Sequence, residues 1–279
     1  GCAVFDEATY GRVQFHHRAV REYLAAWWVK RQLDAGLPFS QAWALFAPAP
    51  YGEEVLIPSR RPVLCWLAAL DAKVRGRVVR TFPEMVIYEG DPQQWSVDDV
   101  VEAFAGYLDR LKSGFRPDWW NDASEYRRVA RLVPVETLSR WIEAHRDDPN
   151  VLPRLLTIVE YGGITSCADQ VFALYRRVGF TDRIVRYLLG TLAVIATAEQ
   201  RTCIVEDLLS GRLAGNDLIA DGIKAVGLAH FSQEQLVTCF RRADVESDIG
   251  GGPMAMAVQG YLLPSANLGD ATKLLAALC

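Results

Sequence analysis

The sequence predicts an all-α protein in which a helical-repeat solenoid follows a small N-terminal β-hairpin and helix. Three observations predict this fold class. Apolar residues recur at three- and four-residue steps over most of the chain after residue 18, only residues 3–15 have an extended pattern, and a repeat of about 34 residues runs through the second half. With 279 residues, 51% of them hydrophobic, the chain is long enough to bury a large core.

The N-terminal hairpin and helix are predicted over residues 1–35. Residues 3–15 form two short extended runs around the stretch "DEATYGR", which is the pattern of a hairpin. A helix follows directly, because its apolar residues recur at the spacing of one buried helix face. These residues are Val20, Tyr23, Leu24, Trp27 and Trp28.

Two further helices predict a helical linker domain over residues 36–114. Pro62 takes a favourable first-turn position in the first of these helices. The second is predicted by the stretch "WSVDDVVEAFAGYLDRLKSG", in which Ser96 can cap the helix, with Asp99 three residues further on. Gly114 then follows as a stop signal.

A repeat of helical hairpins is predicted over residues 115–279. Sliding the chain by about 34 residues aligns "DRIVRYLLGTLAVIATAEQRTCIVEDLL" with "NDLIADGIKAVGLAHFSQEQLVTCFRRA". The aligned apolar pairs are Ile184 and Leu218, Leu189 and Ile223, Val194 and Leu228, and Val205 and Cys239. One helical hairpin cannot bury its apolar face alone, so stacked units predict a solenoid. The Trp, Gly and Tyr signature of tetratricopeptide units is absent, and the irregular repeat is better described as HEAT-like.

Composition and charge argue against several classes of protein. The net charge of −4 is shared equally between residues 1–150 and 151–279, so neither half offers the basic surface that nucleic-acid binding requires. Arg outnumbers Lys by 25 to 5, an excess that phosphate recognition or the codon bias of a GC-rich genome would produce, and we favour codon bias. No stretch approaches the roughly 20 apolar residues of a membrane span, so a cytoplasmic protein is the simplest expectation.

Motifs for catalysis and metal binding are missing from the sequence. The chain has neither a G-x-x-x-x-G-K-[ST] phosphate loop nor a G-x-S-x-G elbow, so we expect no enzyme activity and no ATP binding by this chain alone. The acid pairs Glu53–Glu54 and Asp98–Asp99 are interpreted as solvated surface. The pair Trp119–Trp120 is either an exposed binding patch or, as we favour, a lid over a junction between helical parts.

The six cysteines are too far apart for a zinc site or a disulfide framework, and we interpret them as buried thiols. They are Cys2, Cys65, Cys167, Cys203, Cys239 and Cys279. The chain opens without Met and closes on a helical pattern that has no cap. We therefore expect it to be part of a longer protein.

Two adjacent histidines, His16 and His17, suggest a metal site or a catalytic base. In an extended run, neighbouring side chains point to opposite faces, so the two could not hold one metal ion. His145 precedes charged residues at a predicted helix end, and His230 precedes a predicted helix cap. The residues alone therefore favour a structural role for all four histidines.

A family resemblance changes this interpretation for His17. The stretch "FHHRAVREYLAA" resembles the segment that ends the ATPase module of NACHT-type STAND proteins, roughly Phe-x-His-x-x-x-Gln-Glu-Tyr/Phe-Leu-Ala-Ala. The matching residues are Phe15, His17, Glu22, Tyr23, Leu24, Ala25 and Ala26. Arg21 departs from the pattern, since the family usually has Gln there. The segment over residues 60–92, with its "WLAAL", "PE" and "GDP" elements, is similar to the helical region that follows this module in bacterial members.

The resemblance implies a role in a switch. Residues 1–35 would be the wing hairpin and last helix of a winged-helix domain, and His17 would contact a phosphate of ADP in the full-length protein. ADP or ATP, with Mg²⁺, would bind in an upstream nucleotide-binding domain of the same protein. The repeats would detect a trigger protein in an antiphage immune switch that forms a homo-oligomer on activation.

Two alternatives come from other classes of protein. One is a stand-alone helical-repeat scaffold that binds a partner protein without any dependence on nucleotide. The other is an α-helical enzyme whose site is too dispersed to recognise in the sequence.

Overall fold

The computed structural model describes most of the chain as two compact units, Gly1–Val133 and Pro134–Cys279. The described residues are 5–8, 12–15, 17–50, 52–87, 95–116, 123–177 and 179–243, with Gly269 and Thr272. Of residues 5–8, 12–15 and 123–125, the backbone alone is described. The predicted sites at His16, Cys2, Cys279 and Trp119–Trp120 lie outside the described residues. The predicted domain boundaries at residues 35 and 114 stay predictions.

The described residues are predominantly helical, which confirms the predicted all-α class. Two short strands, β1 (Phe5–Ala8) and β2 (Arg12–Phe15), pair antiparallel, with Phe5 opposite Phe15 and Ala8 opposite Arg12. Both strands lie within residues 3–15, the segment in which the sequence pattern is extended. This small sheet leads directly into the first helix.

Six α-helices follow in the described part of the first unit. They are α1 (Arg18–Asp34), α2 (Phe39–Ala44), α3 (Arg61–Leu70), α4 (Ala72–Thr81), α5 (Val97–Lys112) and α6 (Ala123–Ala130). Helix α1 packs on α3, α3 on α4 and α4 on α5. Their contacts enclose a core that includes Leu64, Leu67, Phe104 and Tyr107.

The termini of α5 follow the local signals in the sequence. The Ser96 hydroxyl accepts a hydrogen bond of 3.1 Å from the Asp99 N–H, which satisfies one of the unpaired donors of the first turn. At the other end, Gly114 adopts a φ of +91° just beyond Lys112, a conformation that costs glycine little. The cap and the stop therefore work as the sequence predicts.

Seven helices make up the described part of the second unit. They are α7 (Val135–Ala144), α8 (Leu152–Gly162), α9 (Ala168–Arg176), α10 (Asp182–Ile195), α11 (Ala198–Ser210), α12 (Asn216–Val226) and α13 (Gln233–Arg242). Helix α8 packs on α10, and α10 packs on α12. Helix α11 packs on α13. Helices that alternate along the chain are therefore neighbours in space.

The helices of the second unit start at nearly regular intervals. The first residues of α8, α10 and α12 are Leu152, Asp182 and Asn216, so the steps are 30 and 34 residues. Those of α9, α11 and α13 are Ala168, Ala198 and Gln233, with steps of 30 and 35 residues. The two later helices α11 and α13 both begin with a capping box, at Thr197 and Ser232.

The alignment of the repeat holds for most of the aligned apolar pairs and fails for one. Val205 and Cys239 are both buried, as the alignment requires. Val194 is instead 50% exposed, whereas its counterpart Leu228 is 6% exposed. The difference arises because Val194 is still on the helix α10, while Leu228 lies beyond the end of α12 in a short 3-10 turn that returns to the core.

Side-chain hydrogen bonds connect helices one repeat apart. The Thr191 hydroxyl of α10 donates to the Leu156 carbonyl of α8 at 3.2 Å. The Gln200 amide of α11 donates to Oδ1 of Asp169 on α9 at 2.8 Å. These bonds satisfy buried or partly buried polar groups, so they help to fix the register of one hairpin against the next.

Candidate functional site

His17 lies between the end of β2 and the start of α1. It is the residue before Arg18, its backbone is extended, with φ −109° and ψ 127°, and its carbonyl accepts a hydrogen bond of 3.2 Å from the Val20 N–H. The imidazole makes no capping hydrogen bond to α1, and the residue is exposed. The strand-to-helix junction thus presents His17 at the surface of the first unit.

The helix that follows this histidine, α1, packs against α3. The Arg18 guanidinium pairs with the Glu22 carboxylate, with 2.5 Å between Nε and Oε1, across the first turn. One turn further on, the Tyr23 ring meets the Trp66 ring of α3 edge to face, with centroids 5.5 Å apart. A displacement of His17 relative to α3 would therefore disturb several packed side chains.

The buried face of α1 differs from the predicted one. Ala26 and Val29 are the buried residues of this helix, whereas Leu24, Trp27 and Trp28 are 40%, 44% and 57% exposed. The prediction of one buried stripe from Val20 to Trp28 is therefore wrong. The small Ala26 side chain suits close packing of α1 on α3, and the larger apolar side chains are then left on the outer side.

The outer side of α1 combines apolar and basic groups. The Arg31 guanidinium lies 5.0 Å from the centroid of the Trp27 ring, a cation–π distance. Arg21, the residue that departs from the family pattern, is also exposed. Large aromatic side chains that lie together at the surface typically mark a contact with another protein surface.

In both acid pairs that the sequence suggested, the two residues have different surroundings. Glu53 and Asp98 are exposed. Glu54 pairs with Arg77 at 2.5 Å, and Asp99 pairs with Arg75 at 2.8 Å. In each pair one acid is solvated and the other forms an ion pair with α4, Glu54 from the loop after α2 and Asp99 from α5, which is a structural role rather than acid–base chemistry.

The described cysteines are free thiols. Cys65, Cys167 and Cys239 are buried, and Cys203 is partly exposed. Burial raises the pKa of Cys239 to about 11, which keeps it a neutral thiol. Within the described residues, no group of three or more His, Cys, Asp or Glu side chains is placed to hold a metal ion.

The remaining histidines of the described residues lie at helix ends. His145 follows Ala144 at the C-terminus of α7, where a cation is favourable. His230 is exposed and ends a short 3-10 helix just before Phe231, which is buried, and the capping Ser232. Both positions agree with the structural interpretation.

The sequence did not identify one buried carboxylate, that of Asp207 on α11. The Tyr175 hydroxyl donates to its Oδ2 at 2.7 Å, and Arg176 and Arg212 donate to it at 3.0 and 2.9 Å. Burial raises the pKa of Tyr175, and the Asp207 carboxylate raises it further, so the phenol remains a neutral donor. This cluster joins α9 to α11, and no spacing rule in the sequence connects its members.

One small cavity accompanies the N-terminus of α10. It measures about 140 Å³ and lies between the loop at Arg146–Pro149 and the turn at Gly179–Thr181. Ligand pockets typically measure about 300–1,000 Å³, so this space is too small for an ordinary cofactor. The exposed surfaces are therefore better candidates for a functional site than this cavity.

Comparison with protein-family models, curated proteins and solved structures finds no match for this chain. Among the described helices, none has both the length and the apolar character required to cross a bilayer. The functional interpretation therefore rests on the residues and their geometry.

Proposed function

We propose that this chain is the regulatory and sensor segment of a NACHT-type STAND protein, an ATP-dependent switch in antiviral defence. Residues 1–35 would end its winged-helix domain, residues 36–114 would form a helical linker, and residues 115–279 would form a HEAT-like sensor. ADP or ATP, with Mg²⁺, would bind in an upstream nucleotide-binding domain, and a trigger protein would bind the repeats of a cytoplasmic protein that forms homo-oligomers on activation.

The observation that carries this proposal is the placement of His17. An exposed imidazole at the end of a paired strand can donate a hydrogen bond to a phosphate oxygen of a nucleotide held by another domain. The same residue directly precedes α1, which contacts α3 through Tyr23 and Trp66. A contact made with ADP but lost with ATP would thus bias the position of the whole helix, as a two-state switch requires.

The outer side of α1 supports the same proposal. Leu24, Trp27 and Trp28 leave a large apolar surface exposed on a helix whose other side is packed. In the proposed arrangement, the preceding part of the winged-helix domain would cover these side chains. Their burial there would add to the free energy that holds the switch together, at roughly 25 cal/mol per Å² of apolar surface.

The second unit supports a repeat sensor. Helices α8, α10 and α12 pack in succession, and hydrogen bonds connect α9 to α11 one repeat apart. Stacked helical hairpins offer extended surfaces that suit protein ligands. A HEAT-like solenoid is the architecture that these contacts and the sequence repeat favour.

The proposal is tested with His17→Ala in the full-length protein. We expect the purified variant to retain less ADP than the wild-type full-length protein. It should also signal without a trigger, because the histidine–phosphate contact stabilises the inactive state. His230→Ala is the matched control, since it removes an exposed histidine from the other unit. Unchanged ADP occupancy, with no activity in the absence of a trigger, would contradict the proposed role of His17.

A stand-alone protein-binding scaffold is the second candidate. The hydrogen-bonded register between successive hairpins favours it as much as it favours a sensor, because both need a rigid repeat surface. The two differ in the reading frame upstream of the Gly1 codon. A phosphate-loop motif there supports the switch, and a start codon immediately before Gly1 supports the scaffold.

A further inference from the structure

Three arginines of the second unit lie around the C-terminal end of α11. Arg176 at the end of α9 and Arg212 in the loop after α11 donate to the Asp207 carboxylate at 3.0 and 2.9 Å. Arg242, the last residue of α13, reaches the same end of α11, because a Cβ atom at Gly211 would lie 3.4 Å from its Cζ atom. We call these three side chains the arginine cluster.

The backbone at the end of α11 makes room for the third arginine. Gly211 follows the helix with a φ of +82° and has no side chain, so the Arg242 guanidinium can lie directly over it. Nη1 of Arg242 donates to the Leu208 carbonyl at 3.5 Å, where a cation is also favoured by the helix dipole. The position of Arg242 is therefore set by backbone groups and not by an acid.

The charges of the arginine cluster are not balanced. Asp207 is the one carboxylate that pairs with it in the described part of the chain, where it accepts from Arg176 and Arg212. Arg242 forms no ion pair with any described residue. Cys239, which lies near Arg242, is a neutral thiol because burial raises its pKa to about 11. Three guanidinium groups and one carboxylate leave an excess of two positive charges.

The residues beside the arginine cluster do not remove this excess. Arg241 and Glu206, each next to a residue of the site in the sequence, are both exposed and opposite in sign. Arg177, which follows α9, is neutralised by Asp147 at 2.9 Å. The described neighbours thus contribute no net charge, and the excess stays with the three arginines.

Part of the donor capacity of the cluster is turned to solvent. The Arg176 side chain is 49% exposed and, among the described residues, donates through Nη1 alone. Arg242 is exposed as well and donates through Nη1 alone. Each guanidinium group keeps N–H groups that can bind a further oxygen, and its planar fork matches a carboxylate. An added anion would therefore not have to displace Asp207.

We infer that the arginine cluster binds a short protein segment that carries two neighbouring acidic side chains. One carboxylate would pair with Arg242 and the other with the outer N–H groups of Arg176, so two negative charges would balance the excess. A long polyanion such as a nucleic acid fits less well, because the chain as a whole carries a net charge of −4. The inference rests on the proposed function, since it names the part of the repeats that meets a protein.

The test uses a library of short random peptides displayed on phage and selected on the immobilised chain. Enriched peptides are synthesised with a fluorescent label, and their affinities for wild type and variants are measured by fluorescence anisotropy. We expect these peptides to carry two Asp or Glu residues close together. Their affinity should fall as NaCl is raised, because salt screens the attraction between exposed charges.

Four variants make the test specific. Arg242→Gln and Arg176→Gln should each weaken binding by about tenfold, because each removes a charge-assisted pair. Arg242→Lys keeps the charge without the planar fork, so its effect should be smaller. Arg183→Gln removes an exposed arginine of α10 and should leave binding unchanged. Circular dichroism establishes that each variant folds. Arg242→Gln loses only the bond to Leu208 and decides the question if Arg176→Gln does not fold.

Several outcomes would overturn the inference. These are enriched peptides without paired acids, enriched peptides that bind Arg242→Gln as tightly as wild type, and equal losses of affinity for Arg242→Gln and Arg183→Gln. A selection that enriches nothing would do the same, and would indicate that acids of the chain already neutralise the cluster. The acids that follow α13 in the sequence lie outside the described residues and are Asp244, Glu246 and Asp248.

The same experiment keeps this inference separate from the proposed function. None of its results involves nucleotide, so the role of His17 stands or falls on ADP retention alone. Loss of the nucleotide link would leave the arginine cluster in place as the binding site of a scaffold.

Discussion

Tyr175 of α9 donates a hydrogen bond of 2.7 Å to Oδ2 of Asp207, a carboxylate on α11 that is almost entirely withdrawn from solvent. Arg212 strengthens the arrangement by donating to the same carboxylate at 2.9 Å and to the Tyr175 carbonyl at 3.0 Å. Its guanidinium also lies 5.1 Å from the centroid of the Tyr175 ring. One buried acid therefore joins two helices and the loop that follows α11.

Asp207→Asn should destabilise the chain by roughly 2–4 kcal/mol. The substitution leaves Arg176 and Arg212 without their common anion, and the estimate is at the lower end for a buried pair because both arginines are partly solvated. Urea denaturation monitored by circular dichroism measures the change in the free energy of unfolding. Glu206→Gln, an exposed position on the same helix, is the control and should change it by less than about 0.5 kcal/mol. Equal effects of the two variants would contradict a stabilising role for the cluster.

Glu84 should make stability depend on pH in a defined direction. Burial raises the pKa of this carboxyl above its ordinary value of 4.5, and Arg110, 2.8 Å away, only partly opposes the rise. The folded state then holds the proton more tightly than the unfolded state, so wild type gains stability relative to Glu84→Gln as pH falls from 7 through the raised pKa. The gain is complete below about 4.5, the ordinary value for the unfolded chain.

The measurement for Glu84 is the difference in unfolding free energy between wild type and Glu84→Gln across this pH range. Using the difference cancels groups that titrate in both proteins. Glu102→Gln, an exposed position on α5, is the control and should give a flat difference. A difference for Glu84 that grows as pH rises would show that the ion pair with Arg110 outweighs burial.

Two helical glycines should respond oppositely to alanine. At Gly222, a Cβ atom would lie 3.0 Å from Leu208 Cδ2 and 3.1 Å from Leu213 Cδ1, so Gly222→Ala should destabilise the chain by about 1 kcal/mol after the gain in helix propensity. At Gly190 the nearest atom would be 3.6 Å away, an ordinary contact, and alanine should stabilise by about 0.5–1 kcal/mol. Urea denaturation of the two variants compares them directly. Stabilisation by both would show that the two leucine side chains move aside at little cost.

Cysteine labelling should follow exposure. Cys203 is partly exposed and should react with iodoacetamide in the native protein, whereas Cys167 and Cys239 should be protected until the chain unfolds. Burial raises the pKa of both protected thiols, to about 11 for Cys239, which reduces the thiolate that reacts. Peptide mapping by mass spectrometry resolves each cysteine. Labelling of Cys239 at the rate of Cys203 would indicate that α13 opens readily.

Local signals in the sequence were sufficient for many elements of the fold. Helix α5 has its cap at Ser96 and its stop at Gly114, because both depend on groups within a few residues. Val205 and Cys239, which the predicted repeat aligns, are both buried. Such features depend on periodicity and on turn chemistry, which a single sequence records directly.

Other features required knowledge of which helices meet. The buried side of α1 was assigned to the larger apolar residues, but Ala26 and Val29 face inward and Trp28 faces outward. Amphipathic patterns show that a face exists without showing which partner covers it. The approach of Glu160 to Gly190 was hidden for another reason, because α10 begins 30 residues after α8, whereas α12 begins 34 residues after α10. A search at the 34-residue shift does not align these two residues.

The sequence by itself determined that this protein is helical and where α5 begins and ends, and it predicted a repeat of hairpins in the second half. It also carried the motif that directs attention to His17. Only the tertiary structure decided that Asp207 is buried among its donors, that the Glu160 carboxylate lies beside Gly190, and that aromatic side chains of α1 remain exposed. The reason is physical: helix formation depends on neighbours along the chain, whereas burial and pairing depend on side chains that approach from residues 30 or more positions away.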